Sequence, residues 1–296
     1  MQNKGEGVPQ AHLFTVQMIY ARLHGRLGNQ MFQYAAARGL AARLGVKFAL
    51  DDRRAIHKGE GVLTRVFGLD LATPDSLPPA QHERLLAYAA WRALGLSPKM
   101  YRENGLGFNP TFESLQDDTY LHGYWQVERY FKHIEADIRA AFVPRNPMSD
   151  QNAEMAARIA SGTSVSLHVR RGDYLTVGAH GLCDQTYYDA ALAKVVEGLG
   201  SDPTVFVFSD DPDWAKDNLP LPFEKVVVDF NGPDTDYEDL RLMSLCQHNV
   251  LANSSFSWWG AWLNTNPNKR VAGPANWFSD PKLNNPDILP NGWLTV

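Results

Sequence analysis

Short apolar and β-branched runs, each closed by turn residues and followed by a helical pattern, recur along this chain. That alternation limits the folds open to it. Phe14–Leu23 (FTVQMIYARL) and Val46–Leu50 read as strands in the first half. Thr163–Val169 (TSVSLHV), Thr204–Phe208 (TVFVF), Lys225–Val228 (KVVV) and Asn249–Ala252 read as strands in the second. Between them lie predicted helices over Asn29–Leu44, Glu128–Phe142, Tyr187–Val196, Tyr237–Cys246 and Ser257–Leu263; in the first, Phe32, Ala36, Leu40 and Leu44 share one face. Residues 51–118, which include Pro78 and Pro79, read as irregular with some helix. Strands alternating with helices imply parallel sheets with crossover helices, an α/β fold. The pattern restarts after Pro144–Pro147, a linker. The expectation is therefore a loose extension over 1–13 and two Rossmann-like domains, 14–147 and 148–296, facing a central cleft, with the C-terminal tail able to pack back. Ligands of such sheets bind at the carboxyl ends of the strands.

Composition removes several classes. The formal net charge is −5, so no global basic field attracts nucleic acid. The cysteines, Cys183 and Cys246, provide no disulfide framework and no zinc-ligand spacing. Ala11–Tyr20, with His12 and Gln17, is too short and too polar to cross a bilayer. A cytoplasmic protein is expected, with peripheral contact at the inner membrane face left open.

Three segments carry chemistry. In His168-Val169-Arg170-Arg171-Gly172-Asp173-Tyr174 a buried strand ends in a glycine turn. Alternation puts His168 and Arg170 on one face. An arginine fork binds phosphate oxygens in pairs, and Asp173 is placed to orient one of the arginines. The same residues also read as a solvated charge turn that tethers a strand end. In His24–Ala35 (HGRLGNQMFQYA) glycines precede a helix whose N-terminus favours an anion. Gly25-x-x-Gly28 falls short of the dinucleotide fingerprint, which counts against an oxidoreductase. In Asn253–Trp262 (NSSFSWWGAW) Ser254 and Ser255 lead into a helix as caps or ligands, while Trp258 and Trp262 stand at core spacing. Ser209-Asp210-Asp211 also follows a strand. Asp211-Pro212-Asp213 and Asp234-Thr235-Asp236 match the Asp-x-Asp pattern of metal-dependent glycosyltransferases. With Arg170 and Arg171 supplying the cations that a diphosphate needs, no metal is expected.

Taken together, these segments resemble the α-1,2-fucosyltransferases of bacteria and animals, glycosyltransferase family 11. The resemblance rests on Gly25–Ala37, Gly123–Phe131 (GYWQVERYF), His168–Tyr174, Phe208–Asp211, Asn253–Leu263 and Gly273–Phe278 (GPANWF), and so runs over most of the chain. Many bacterial relatives have Gly-Gly where this chain has Gly25-Arg26. The resemblance implies a GT-B fold, with the first domain on the acceptor side and the second on the donor side. It also implies GDP-β-L-fucose as donor, a galactose-terminated glycan as acceptor, inversion at the anomeric carbon and no cofactor. Arg170 would contact the β-phosphate, with Arg171 and Asp173 holding the turn. His168 and Asp239 would lie near the guanosine, Asp210 on the donor side, Ser254 and Ser255 near the phosphates, and Asn29 facing the reacting sugar from the other domain. Asp184 and His180 are candidate bases, and a mechanism without a dedicated base stays open. The rivals are a fucosyltransferase of other linkage, another GDP-sugar transferase, and a glycan-binding protein whose tryptophans would meet sugar directly.

Overall fold

The computed structural model describes residues 17–58, 62–69, 77–172, 181–283 and 285–296. The expected extension over 1–13 lies outside them. The first half runs β1 (Met18–Arg22), α1 (Leu27–Leu44), β2 (Lys47–Asp51), α2 (Arg53–His57), α3 (Leu63–Phe67), α4 (Leu85–Leu94), β3 (Lys99–Arg102), β4 (Thr119–His122) and α5 (Glu135–Ala141). The second half runs α6 (Asp150–Ala160), β5 (Ser164–Val169), α7 (Gln185–Val196), β6 (Thr204–Ser209), α8 (Pro212–Asn218), β7 (Glu224–Val228), α9 (Asp236–Leu245), β8 (His248–Val250), α10 (Ser255–Leu263), β9 (Val271–Gly273) and β10 (Leu294–Thr295). They build two sheets, in the orders β2-β1-β4-β3 and β10-β9-β8-β5-β6-β7. Every pairing in both is parallel. Every residue of β5 is buried, as a central strand covered on both faces must be.

Aromatic packing joins the halves. Phe32 of α1 lies with its ring centroid 4.5 Å from Trp258 and 4.9 Å from Trp259 of α10. Phe131 stacks on Trp259 at 5.5 Å. The indoles of Trp258, Trp259 and Trp262 are all buried and each N–H is used: Trp258 donates to Ile288 O (2.6 Å), Trp259 to Gly28 O (3.0 Å) and Trp262 to Glu128 Oε1 (3.0 Å). The tryptophans are core, as their spacing implied. Removing one large aromatic from such a cluster costs about 3–5 kcal/mol.

Several expectations change. The first strand is Met18–Arg22 rather than Phe14–Leu23, and Phe14 to Val16 lie outside the described residues. The expected helix Glu128–Phe142 breaks into two single 3-10 turns, Glu128–Tyr130 and Lys132–Ile134, before α5 begins. The break lies at Phe131, whose φ of −137° leaves the helical range as its ring enters the tryptophan cluster. Burial of that ring overrides helical periodicity. The described residues of 51–118 include the helices α2, α3 and α4, a 3-10 turn at Pro110–Ser114 and the edge strand β3, and β4 follows directly. Four-residue strands such as β3 (KMYR) and β4 (TYLH) are too short to show a period. α6, α8, β9 and β10 are further elements not expected from the sequence.

The N-termini of α1 and α10 abut at Gly28. A Cβ there would lie 2.7 Å from the backbone carbon of Ser255 and 2.8 Å from Phe256 N. Gly28→Ala is therefore expected to lose about 1–3 kcal/mol, read as a melting temperature lower by roughly 2–10 °C. Gly162→Ala, where a Cβ meets nothing within 4 Å, should melt close to wild type. Equal melting temperatures for the two variants would show that the helix ends do not need this close approach.

Candidate active site

β5 delivers His168 and Arg170 to the carboxyl edge of the second sheet. His168 is 5% exposed, and its Nδ1 has no hydrogen-bond partner among the described residues. Burial, with the Arg170 charge adding, pulls its pKa down to about 3, so the imidazole is neutral at working pH. Arg170 Nη1 pairs with Asp210 Oδ2 at 3.0 Å, and Asp210 Oδ1 accepts from Arg171 N at 2.9 Å. One carboxylate at the end of β6 thus straps the whole turn. Any Cβ at Gly172 would collide with Asp210 Oδ2, which explains the glycine. Arg171 turns away: its guanidinium lies 3.8 Å above the Trp214 ring and 3.5 Å from Asp211 Oδ2. Asp211 in turn caps α8 through Trp214 N. Of the two arginines, Arg171 anchors the turn to α8 and Arg170 stays at the strand end.

β8 pairs directly with β5, so the residues after β8 open beside Arg170. Ser254 caps α10, accepting from Phe256 N at 3.3 Å. Ser255 Oγ donates to Asn29 Oδ1 at 3.0 Å, and Gln126 Nε2 donates to the same oxygen at 2.7 Å. Asn29 is the second residue after Leu27, the first of α1. Its side chain ties the first turn of one helix to the first turn of the other, while Arg26 provides no side-chain cap to α1. Two helix N-termini, each carrying partial positive charge, therefore converge close to the strapped arginine. Gln126 reaches Asn29 because Trp125 adopts a left-handed backbone (φ 58°), a conformation that costs about 1 kcal/mol in a bulky residue. The Glu103 carboxylate holds it there by accepting from Tyr124 N (2.6 Å) and Trp125 N (2.9 Å). Burial raises that carboxyl to about 6.

A third cluster lies on α9. Asp239 Oδ1 accepts from Asn231 Nδ2 at 2.8 Å, and Asn231 exchanges two 3.0 Å hydrogen bonds with Asn152. Beside this amide pair is a cavity of about 320 Å³ lined by Ser149, Asn152, Phe230, Asn231, Tyr237 and Glu238. Burial lifts the Asp239 carboxyl to about 7, with the charges of Asp236 and Glu238 adding to the rise and Asn231 opposing it. Burial likewise raises Asp236, against the fields of Arg65, Arg26 and Arg170. Cations from both halves thus act on one point at the start of α9.

The sequence model of glycosyl transferase family 11 matches residues 108–296. An alpha-1,2-colitosyltransferase of Escherichia coli is 32% identical over 297 residues, spanning 95% of this chain and 99% of that protein. Galactoside alpha-(1,2)-fucosyltransferase 1 of Pan troglodytes is 27% identical, over 88% of this chain and 69% of that one. The chain belongs to glycosyl transferase family 11. Among solved structures, a point mutant of Arabidopsis thaliana FUT1 in complex with GDP superimposes with a TM-score of 0.51 at 11% identity, covering 95% of this chain and 73% of that one. The architecture is that of the GT-B glycosyltransferases.

In this family 11 chain the remaining candidates are spread out. Asp184 is exposed and caps α7, accepting from Tyr187 N at 2.9 Å. Asp173 and His180 lie outside the described residues. Asp213 pairs with Lys216 at 3.0 Å, and the Asp234 carbonyl accepts from Arg65 at 2.7 Å. Among the described residues no group of three His, Cys, Asp or Glu is placed to share a metal ion. Gln126, Asn231 and the opposite mouth at the ends of β1 and β4 are not among the expected site residues. There the His24 ring lies 4.7 Å from Tyr124 and 5.8 Å from His122. Burial, helped by Arg22, holds His24 near 4 and His122 near 3, so both rings are neutral. Gln126 and Tyr124 stand in the Gly123–Phe131 segment and His24 opens the His24–Ala35 segment, but no local pattern gives them a role in the site.

The Asp239 carboxyl should titrate near pH 7 when followed by ¹³C NMR. Asn231→Ala, which removes the donor that favours the ionised form, should move the midpoint higher still. A midpoint at the ordinary aspartate value would mean that the carboxyl is solvated and that the cluster on α9 is open to water.

Proposed function

We propose that this chain is an inverting glycosyltransferase that moves L-fucose from GDP-β-L-fucose to the 2-hydroxyl of a terminal galactose. The observation that carries this reading is Arg170, held by Asp210 at the end of β5 beside the converging N-termini of α1 and α10. In the reaction the bond from the sugar C1 to the β-phosphate oxygen breaks. The acceptor oxygen bonds to C1 from the opposite face, and its proton leaves to solvent or to a base. Positive charge builds on the sugar and negative charge on the departing GDP. Arg170 and the two helix ends stabilise that negative charge more than they stabilise the intact donor. They are already in position, so little reorganisation is needed during the reaction. In this proposal Asp239 and the amide pair beside it receive the guanine, and Asn29, with Ser255 and Gln126, positions the sugar end. Arg171, Asp210 and Asp211 hold the turn, and no divalent metal takes part.

A second reading has specific support: the colitosyltransferase is 32% identical to this chain over nearly its whole length, which favours a nucleotide-activated colitose as donor. Both readings keep the leaving group on Arg170. A glycan-binding protein fits less well, because Trp258, Trp259 and Trp262 are at most 2% exposed and present no ring to a sugar.

The direct experiment supplies GDP-fucose and activated colitose in turn with a panel of galactosides, in excess chelator, and determines the product linkage. Fucose on the galactose 2-hydroxyl at the same rate with and without magnesium is the expected result. Preference for colitose would select the second reading, and activity restored only by metal would move the Asp-x-Asp segments into the site.

Arg170→Lys keeps a positive charge but loses the fork that meets Asp210 and a phosphate together. Turnover should fall roughly 10²–10³-fold, or about 3–4 kcal/mol, as when one oxyanion donor is deleted, with the melting temperature near wild type. A purely structural turn would show the reverse: a lowered melting temperature and near-normal turnover per folded molecule.

A further inference from the structure

Helix α4 presents to solvent a face that the fold does not use. Its Tyr88 and Trp91 pack with Tyr20, Ala49 and Tyr120 on the first sheet. Its other side carries Leu85, Leu86 and Leu94 at 61%, 85% and 71% exposure, with Leu96 just beyond at 50%. These are four of the ten exposed large apolar residues among those described. A single exposed leucine is ordinary, but a cluster of them marks a contact surface. α4 itself (LLAYAAWRAL) contains no acid. Where it ends against the edge strand β3, a cavity of about 620 Å³ is lined by Trp91, Arg92, Leu96, Lys99, Met100 and Arg102, with Gly95. Three cations and no carboxylate therefore ring an apolar floor, in a chain whose formal net charge is −5. That local excess of positive charge is complementary to an anionic occupant, and the flanking leucines are complementary to an apolar one.

We propose that this face docks on an anionic membrane surface, with Leu86 and Leu94 entering the interface and lipid headgroup phosphates meeting Arg92, Lys99 and Arg102. An apolar helical face rimmed by Lys and Arg is the pattern of interfacial binding. None of the helices among the described residues is long and apolar enough to cross the bilayer, so the contact is peripheral. None of these residues takes part in the proposed transfer, so this docking stands or falls separately from the reaction.

The test is sedimentation of the full chain with vesicles of phosphatidylglycerol mixed with phosphatidylcholine, against phosphatidylcholine alone. Binding to the anionic vesicles is expected, and it should weaken as salt is raised. Arg92→Ala with Lys99→Ala should lower partitioning roughly 25-fold, about fivefold for each cation. Leu86→Glu with Leu94→Glu should abolish it. Both pairs should melt like wild type, because the side chains are exposed. Equal binding to both vesicle types, or variants that bind like wild type, would overturn the proposal. So would failure to bind vesicles combined with saturable binding to polyglutamate, which would assign the face to an acidic protein partner.

Discussion

The site depends on the contact between the first turns of α1 and α10, made possible by the missing side chain at Gly28. Two helix N-termini brought this close repel, since each carries unsatisfied N–H groups and partial positive charge. Packing holds them: the buried tryptophans of α10 against Phe32 and Phe131, and the indole of Trp259 on the Gly28 carbonyl. Between the ends, a single amide oxygen of Asn29 accepts from both Ser255 and Gln126. The core thus stabilises an electropositive point that the two helices would not form alone. An anion bound there would relieve the repulsion.

The arginine beside that point illustrates a second constraint. An arginine side chain only 14% exposed needs a counter-charge, and Asp210 supplies one from the end of the neighbouring strand while also fixing the turn through Arg171 N. In the proposed transfer, the same ion pair that makes Arg170 tolerable in the folded chain aims it at the leaving group. Neutral His168 behind it and the raised Asp239 carboxyl on α9 follow from the same burial. At the edge of the second sheet burial favours the neutral forms of His168 and Asp239, while Arg170 is paired with Asp210.

Much of this was legible in the sequence, where one local signal decided the outcome. The run Thr163–Val169 announced β5, and alternation along it placed His168 and Arg170 together. The spacing of Trp258 and Trp262 marked core. Other features depend on groups far apart in the chain. Asp210, expected on the donor side, also straps an arginine forty residues earlier, which no local pattern reveals. Asn29 was expected to face the sugar, and its oxygen is also shared by Ser255 and Gln126, residues no local pattern connects to it. The helix expected over Glu128–Phe142 breaks because Phe131 is drawn into a cluster made mostly by α10. The strands β3 and β4 are defined by pairing rather than by pattern. In each case the deciding contact joins residues far apart in the chain.

The proposed chemistry requires a diphosphate at one place, and a crystal structure of the chain with GDP measures that place directly. The β-phosphate is predicted within hydrogen-bond distance of the Arg170 guanidinium and beside the N-termini of α1 and α10, with Asp210 still paired to Arg170 and the guanine toward Asp239. A diphosphate bound elsewhere, or one bound with Arg170 turned away toward solvent, would contradict it.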